Sequence, residues 1–360
     1  MKVLVLTENY PSSQSHEMMY VHVRNKYYKK NGIDVTVLNF RANSEYDYEG
    51  IKVINNSIYE NSTFKYDVLI SHASNLKHHY RFIKKYSNRF RKIIFFYHGH
   101  EILKLSEVYP KEYFWVKSSK IKSKLRDIYD EFKFRVWRKE LKKIMPKSEL
   151  VFVSRWIYDR FLYYVHLNPK LLDNHVHIIN NSVGETFEKN SYNVKEKKIY
   201  DFITIRGSAL DKGKYGIDIV TKLANSNPKL KFLVVGKGEF YNYVDKPENI
   251  EFINGYLKHD DMLEYLNKSR CALLPTKQDT QGVMTCEMAT FGIPTITSDI
   301  EVCREIFDGF DNVKLISNDG KTKLNKILDD LCKELPYPKN EKYFAKNTIS
   351  KEVELMKNGK

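Results

Sequence analysis

The chain has 360 residues, 42% of them hydrophobic and 29% charged, and carries a formal net charge of +15 at pH 7. That balance fits a globular protein of two domains, each able to bury its own core without disulfides or metals. No apolar run approaches the roughly 20 residues needed to cross a bilayer. Cys271, Cys286, Cys303 and Cys332 show neither close pairing nor a C-x-x-C, which argues against disulfide and zinc scaffolds. His98 and His100 form an H-x-H with no acidic or cysteine cluster beside it, and His78-His79 reads as part of a solvated helix.

In chain order, short β-branched runs alternate with longer helical stretches, the pattern of parallel α/β sheets. The opening Met1–Glu8 is too short for a signal peptide and reads as a buried strand, so the cytoplasm is the expected location. Val3–Leu6, Val35–Asn39, Val68–Ser71, Ile93–Tyr97, Leu150–Ser154 and His177–Ile179 are the strand candidates of a first domain, residues 1–185. Residues 184–199 are polar and aperiodic and read as a linker. A second series follows in residues 200–335, with strands at Phe202–Ile205, Lys231–Val235, Ile250–Ile253, Cys271–Leu274, Thr295–Thr297 and Val313–Ile316. Helical segments such as Gly216–Ala224 and Asp260–Lys268 lie between them. The tail, residues 336–360, returns to helix near Ile349–Met356 and is expected to pack back on the first domain. The fold class is therefore α/β, two Rossmann-like doubly wound parallel-sheet domains, and ligands of such sheets bind beyond the carboxyl ends of the strands.

The basic charge is concentrated in residues 111–147, where Lys and Arg interleave with Phe114, Trp115, Phe132, Phe134, Val136 and Trp137. Spacing of three to four residues predicts an amphipathic helical region with a basic face. Two readings stand side by side: a solvated helix, or a surface that docks on an anionic membrane. Nucleic acid is not expected as a partner, because no reading motif accompanies the charge.

Two segments carry the chemistry. In Leu274–Ala289 a buried strand ends at Pro275, a polar loop follows, and a helix begins near Gly282. Asp279 and Glu287 bracket that helix start. Backbone N–H groups of Gln281, Gly282 and Val283 would point out of it toward sugar hydroxyls or phosphate oxygens. Taken alone, such an acidic pair also suits an ordinary surface loop. In Ile203–Asp218 a strand ends in Arg206, and a Gly-rich loop carries Lys212 and Lys214 into the next helix. Cations held in a dry cleft stabilise the charge that a nucleoside diphosphate gains as it departs.

The first of these segments resembles the E-x7-E signature of glycosyltransferase family 4, the glycosyl transferases group 1, a retaining family of GT-B architecture. Asp279 falls on its first acid, Glu287 on its second and Gly282 on the glycine between them. Glu287-Met288-Ala289 with Gly292-Ile293-Pro294 matches the continuation. The resemblance implies that Asp279 hydrogen-bonds donor-sugar hydroxyls, that Glu287 binds the nucleotide ribose, and that Arg206 and a lysine hold the diphosphate. Ile205 replaces the family's leading glycine and the Arg-to-Lys spacing is longer. Asp218 registers better with Lys214, which takes the role, with Lys212 as the alternate.

The remaining matches are shorter. Gly236, in the strand-end G-x-G Gly236-Lys237-Gly238, and Gly255-Tyr256 resemble segments beside the nucleotide. His98, after a strand in Tyr97–Glu101, matches the family histidine near the donor sugar and acceptor, with Glu101 as a second polar candidate. The first βα loop lacks the glycine pair of many relatives, and its His16 and Glu17 are candidates for the acceptor side.

The resemblance thus implies two domains facing a central cleft that closes to exclude water. It also implies retaining hexosyl transfer from a nucleotide-sugar, a UDP-sugar placed ahead of a GDP-sugar, to a glycan or lipid-linked acceptor. No metal or other cofactor is required by this reading, and surface polysaccharide or glycolipid assembly at the inner face of the cell membrane is the expected setting. A GT-B sugar-nucleotide epimerase and a non-catalytic basic protein binding nucleic acid or membrane are the alternatives.

Overall fold

The computed structural model describes residues 1–13, 17–116, 120–207, 210–257 and 259–358, without the side chains of 120–122 and 259–260. His16, and Ser208-Ala209 of the basic loop, lie outside the described residues. The chain divides into two compact units. One comprises Met1–Leu105, Lys124–Ser182 and Phe344–Lys360, the other Ser106–Ser123 and Val183–Tyr343.

The first unit is built on an eight-stranded sheet: β1 (Lys2–Thr7), β2 (Asp34–Asn39), β3 (Tyr46–Tyr48), β4 (Ile51–Ile54), β5 (Val68–His72), β6 (Lys92–Tyr97), β7 (Ser148–Phe152) and β8 (Val176–Ile178). Their spatial order is β3-β4-β2-β1-β5-β6-β7-β8, parallel except for the β3–β4 hairpin. Val3, Leu4, Val5 and Leu6 are all fully buried, so the central strand reads as a continuous apolar run because both faces are covered. The hairpin escapes sequence reading. Its first strand has three residues, and its turn depends on Glu49 and Gly50 both adopting positive φ.

The helix Ile349–Lys357 is held to the helix Met19–Lys30 by a buried ion pair, Arg24 Nε to Glu352 Oε1 at 2.9 Å. The Tyr28 hydroxyl donates to the other oxygen of Glu352. Arg24 also donates to the Tyr20 carbonyl at 3.0 Å and lies 5.2 Å from the Phe96 ring centre.

The expected solvated helix at His78-His79 is corrected. A helical turn, Leu76–Tyr80, places His79 in the core, where its ring lies against Phe40, while His78 stacks on Phe40 and bonds Glu8.

The long helix Lys120–Ile144 starts later than the basic aromatic region suggests. Phe134, Trp137 and Leu141 are buried, whereas Leu125, Ile128, Tyr129 and Phe132 are 60, 67, 44 and 58% exposed. Phe114 and Trp115 precede the helix and belong to the second unit.

That unit has a six-stranded, all-parallel sheet: β9 (Tyr200–Ile205), β10 (Phe232–Val235), β11 (Ile250–Ile253), β12 (Ser269–Leu274), β13 (Thr295–Ser298) and β14 (Val313–Ile316). The order β11-β10-β9-β12-β13-β14 reverses between β9 and β12. Residues 184–199 pack on this unit instead of forming a free linker. Phe187 and Tyr192 are buried, and the Tyr192 hydroxyl donates to the Ser269 carbonyl at 2.7 Å.

Removing one member of a buried ion pair strands the other charge. Glu352→Ala should lower stability by about 3–5 kcal/mol, read as a fall in the denaturation midpoint. Joint replacement of Arg24 by Met and Glu352 by Leu should recover part of that loss, because no unpaired charge then remains.

Candidate functional site

The strand order reverses between β9 and β12, the kind of switch point at whose carboxyl ends ligands of such sheets bind. Arg206 leaves β9 at this point, its backbone N–H still bonded to the Val235 carbonyl at 2.9 Å. Its Nη2 donates to the Pro275 carbonyl at the end of β12, at 2.6 Å, and its guanidinium lies 5.3 Å from the Tyr215 ring centre. The side chain is buried and Nε has no partner among the described residues. Burial lowers its pKa, against the opposing field of Asp279, but an arginine stays charged over any working pH.

Lys214 sits on the single turn Gly213–Tyr215. Its ammonium lies 4.9 Å from the Tyr109 ring centre and 4.6 Å from that of Tyr215. Burial works against its charge, yet Tyr109, Tyr215 and Asp279 outweigh burial and raise its pKa. Its carbonyl accepts from the Lys277 backbone N–H at 2.7 Å, which ties the turn to the loop after β12. Lys212 is exposed. Of the two lysines, Lys214 is the one brought beside Arg206, with Tyr215 touching both.

Asp279 lies in the loop after β12 and bonds the Thr280 backbone N–H at 2.8 Å. Gly282, at φ 73°, precedes the helix Val283–Phe291, and no side chain caps it. A Cβ on Gly282 would stand 3.5 Å from Asp279 Oδ2. Gln281 is buried beside Cys286. Glu287 lies one turn further, keeping some exposed surface, and burial pushes its carboxyl up to about 8. Asp279 and Glu287 therefore differ in environment as well as position.

The G-x-G segment has a packing role of its own. A Cβ at Gly236 would stand 3.2 Å from the Gly207 carbonyl oxygen, and one at Gly238 only 2.6 Å from Asp211 Oδ2. Gly255 faces open space, and Tyr256 beside it is exposed with the Lys237 ammonium 5.8 Å from its ring centre.

His98 belongs to the first unit. Its Nε2 shares a hydrogen bond of 3.0 Å with His72 Nδ1, and burial depresses the pKa of both rings. The Glu101 carboxylate accepts the backbone N–H groups of His98 and Gly99, so it shapes the turn, and burial raises its pKa. Glu17 accepts from the Asn9 side chain.

Sequence reading missed His72, one residue past a predicted strand and thus at its carboxyl end. It also missed Glu8, which follows β1 and holds Asn75 and His78, each at 2.8 Å, and Arg41 at 3.0 Å. Tyr109 and Tyr215 were missed as well. Among the described residues no group of three or more His, Cys, Asp or Glu side chains is arranged to hold a metal ion.

Two doubly wound parallel-sheet units in one chain, with a buried arginine and a half-buried lysine at the switch point of the second, fit the GT-B architecture. Residues 206–333 match the family model described as Glycosyl transferases group 1. The O-antigen biosynthesis glycosyltransferase WclY of Escherichia coli is 30% identical over 122 residues, which cover 32% of this chain and 34% of that protein. The match therefore spans about a third of the relative's length.

Whole-chain likeness extends to solved structures. Sucrose-phosphate synthase of Thermosynechococcus elongatus aligns with TM-score 0.72 and 11% identity over 98% of both chains. WaaG, a glycosyltransferase involved in lipopolysaccharide biosynthesis, aligns with TM-score 0.67 and 13% identity over 100% of both. Anabaena Alr3699/HepE in complex with UDP and glucose aligns with TM-score 0.63 and 13% identity, over 99% of this chain and 98% of that one.

The raised Glu287 carboxyl makes stability fall with pH. Below about 4.5 the group is protonated folded and unfolded alike. Between 4.5 and about 8 only the unfolded chain releases the proton, and stability declines across that window. Glu287→Gln mimics the neutral form. Its melting temperature should match wild type at pH 4.5 and exceed it by a few degrees at pH 8.5 in thermal-shift scans.

Proposed function

We propose that this protein is a retaining glycosyltransferase that moves a sugar from a nucleoside diphosphate sugar to a hydroxyl acceptor. The observation that carries the proposal is the pair Arg206 and Lys214, two buried or half-buried cations at one switch point, with the Arg206 Nε–H unpartnered among the described residues. An uncompensated buried charge calls for an anion, and a diphosphate supplies one. Asp279 and the helix start at Gly282 would hold the donor sugar, Glu287 the ribose, and Tyr256 with Gly255 the base. His98, kept neutral by burial, would hydrogen-bond a hydroxyl of the donor sugar or the acceptor.

In the proposed step the bond from the anomeric carbon to the phosphate oxygen breaks while the acceptor oxygen bonds the same face of that carbon. The acceptor proton passes to the departing phosphate. Arg206 and Lys214 stabilise the charge left on the diphosphate, the task a metal performs in other transferases. Similarity to an O-antigen glycosyltransferase supports surface-polysaccharide assembly as the setting, and the UDP-bound neighbour supports a nucleotide-sugar donor.

A thermal-shift screen with UDP, GDP, ADP and their sugars in EDTA tests the donor site. One nucleotide should raise the melting temperature of wild type and leave Glu287→Ala unmoved. Arg206→Ala should reduce donor turnover by about 10²-fold or more. No response of wild type to any nucleotide would sink the proposal.

An anionic membrane as the place of work is supported by Leu125, Ile128, Tyr129 and Phe132. They form an i, i+3, i+4, i+7 stripe exposed on a lysine- and arginine-rich helix. No helix among the described residues is long and apolar enough to cross a membrane. Wild type should float with phosphatidylglycerol vesicles, and Ile128→Glu with Phe132→Glu should abolish flotation; a wild type that stays in the bottom fraction overturns this part.

A further inference from the structure

The basic loop that carries Lys214 does not stand alone. Residues 106–116, which leave the first unit's sequence after β6, run along this loop and bind it at several independent points. Glu112 accepts the Gly213 backbone N–H at 3.0 Å. The Tyr113 hydroxyl donates to Asp218 Oδ1 at 2.8 Å, and Lys277 pairs with the other oxygen of Asp218 at 2.8 Å. Trp115 Nε1 donates to Asp211 Oδ1 at 3.1 Å. The approach is close enough that a Cβ at Gly213 would stand 2.7 Å from the Lys111 carbonyl oxygen, so only glycine fits there. Tyr113 stacks on Trp115 and Trp115 on Tyr243, each pair 4.9 Å apart, which anchors the arm on the unit's own aromatic surface.

This arm delivers the Tyr109 ring to the Lys214 ammonium. A lysine on a short turn has four rotatable side-chain bonds and would ordinarily sample many positions. Here the ammonium lies over two rings and also hydrogen-bonds the Tyr215 side chain, and these contacts in a partly desolvated slot restrict it. The rings neutralise nothing, so the full positive charge stays available to an anion. A carboxylate in the same place would fix the lysine and cancel it.

We propose that Tyr109 is a positioning residue of the donor site: together with Tyr215 it holds the Lys214 ammonium in an aromatic slot, preset for the diphosphate, and the 106–116 arm exists as a built part of that subsite. The proposal rests on the donor-site reading above. It assigns no chemistry to Tyr109 itself, only the placing of the cation.

The test compares wild type, Tyr109→Phe and Tyr109→Leu by isothermal titration with UDP, GDP and pyrophosphate, and by ligand-observed NMR with uridine and guanosine. Tyr109→Leu should weaken diphosphate and pyrophosphate binding about 3- to 20-fold and leave nucleoside binding unchanged. Tyr109→Phe, which keeps the ring, should bind within about twofold of wild type. The upfield ring-current shift of the Lys214 ε-methylene should persist in the phenylalanine variant and diminish in the leucine variant.

Equal losses for nucleoside and diphosphate would mean general disruption and overturn the assignment. Unchanged diphosphate affinity in Tyr109→Leu would overturn it as well, while wild-type binding left the donor site standing. A wild type that binds no diphosphate would remove the donor reading and this proposal together.

Discussion

The organisation of the second unit follows from one constraint, a guanidinium buried at the end of β9 that pairs with no carboxylate among the described residues. Desolvating such a charge costs several kcal/mol, and the neighbourhood returns only part of it. The Pro275 carbonyl takes one N–H, the Tyr215 face takes the cation, and Asp279 contributes its field from further off. The loop geometry is shaped to permit this. Gly216, at φ 63°, brings the start of the next helix so close to β12 that a Cβ would stand 2.8 Å from the Pro275 oxygen. The same carbonyl therefore receives Arg206 and excludes any side chain at Gly216, locking the ends of β9 and β12 together around the cation.

The first unit shows the same winding with opposite polarity. Its strand order reverses between β1 and β5; Glu8 follows β1 as Arg206 follows β9, and His72 ends β5. Glu8 is held low by His78, Asn75 and Arg41 against the effect of its burial. His72 and His98 are both kept neutral by burial, so their shared hydrogen bond joins two uncharged rings. The strand ends therefore carry a carboxylate and neutral imidazoles in the first unit and cations in the second. Equal topology thus leaves the choice of ligand to the few side chains at the strand ends.

Much of this was legible in the sequence because the strands are buried on both faces. Runs such as Val3–Leu6 and Phe202–Ile205 have no polar alternation and stand out from their surroundings, and Gly282 and Gly292 punctuate a helix at both ends. What stayed hidden depends on partners distant in the chain. His79 reads as polar but is buried against Phe40, and Phe187 and Tyr192 are two aromatics in an otherwise polar stretch. The Gly236–Gly238 pair looks like a phosphate motif, yet Gly238 is required by contact with Leu210 and Asp211. Tyr109 is more than 100 positions from Lys214, and no local pattern links them.

That distance bears on how a charge-stabilising site is made. Cations help a reaction most when they are already in place as charge develops, since any reorganisation then adds to the barrier. Loop 206–216 is rich in glycine and would be costly to order by its own contacts. Bonding it to a second strand of chain through Glu112, Tyr113 and Trp115 transfers that ordering cost to folding, before any ligand arrives. Asp218 shows the economy of the arrangement. One oxygen accepts the arm's tyrosine and the other the lysine that follows β12, so a single carboxylate at a helix start joins the three segments surrounding the cation pair. The arm and the loops after β9 and β12 are thereby bonded to one another around Arg206 and Lys214.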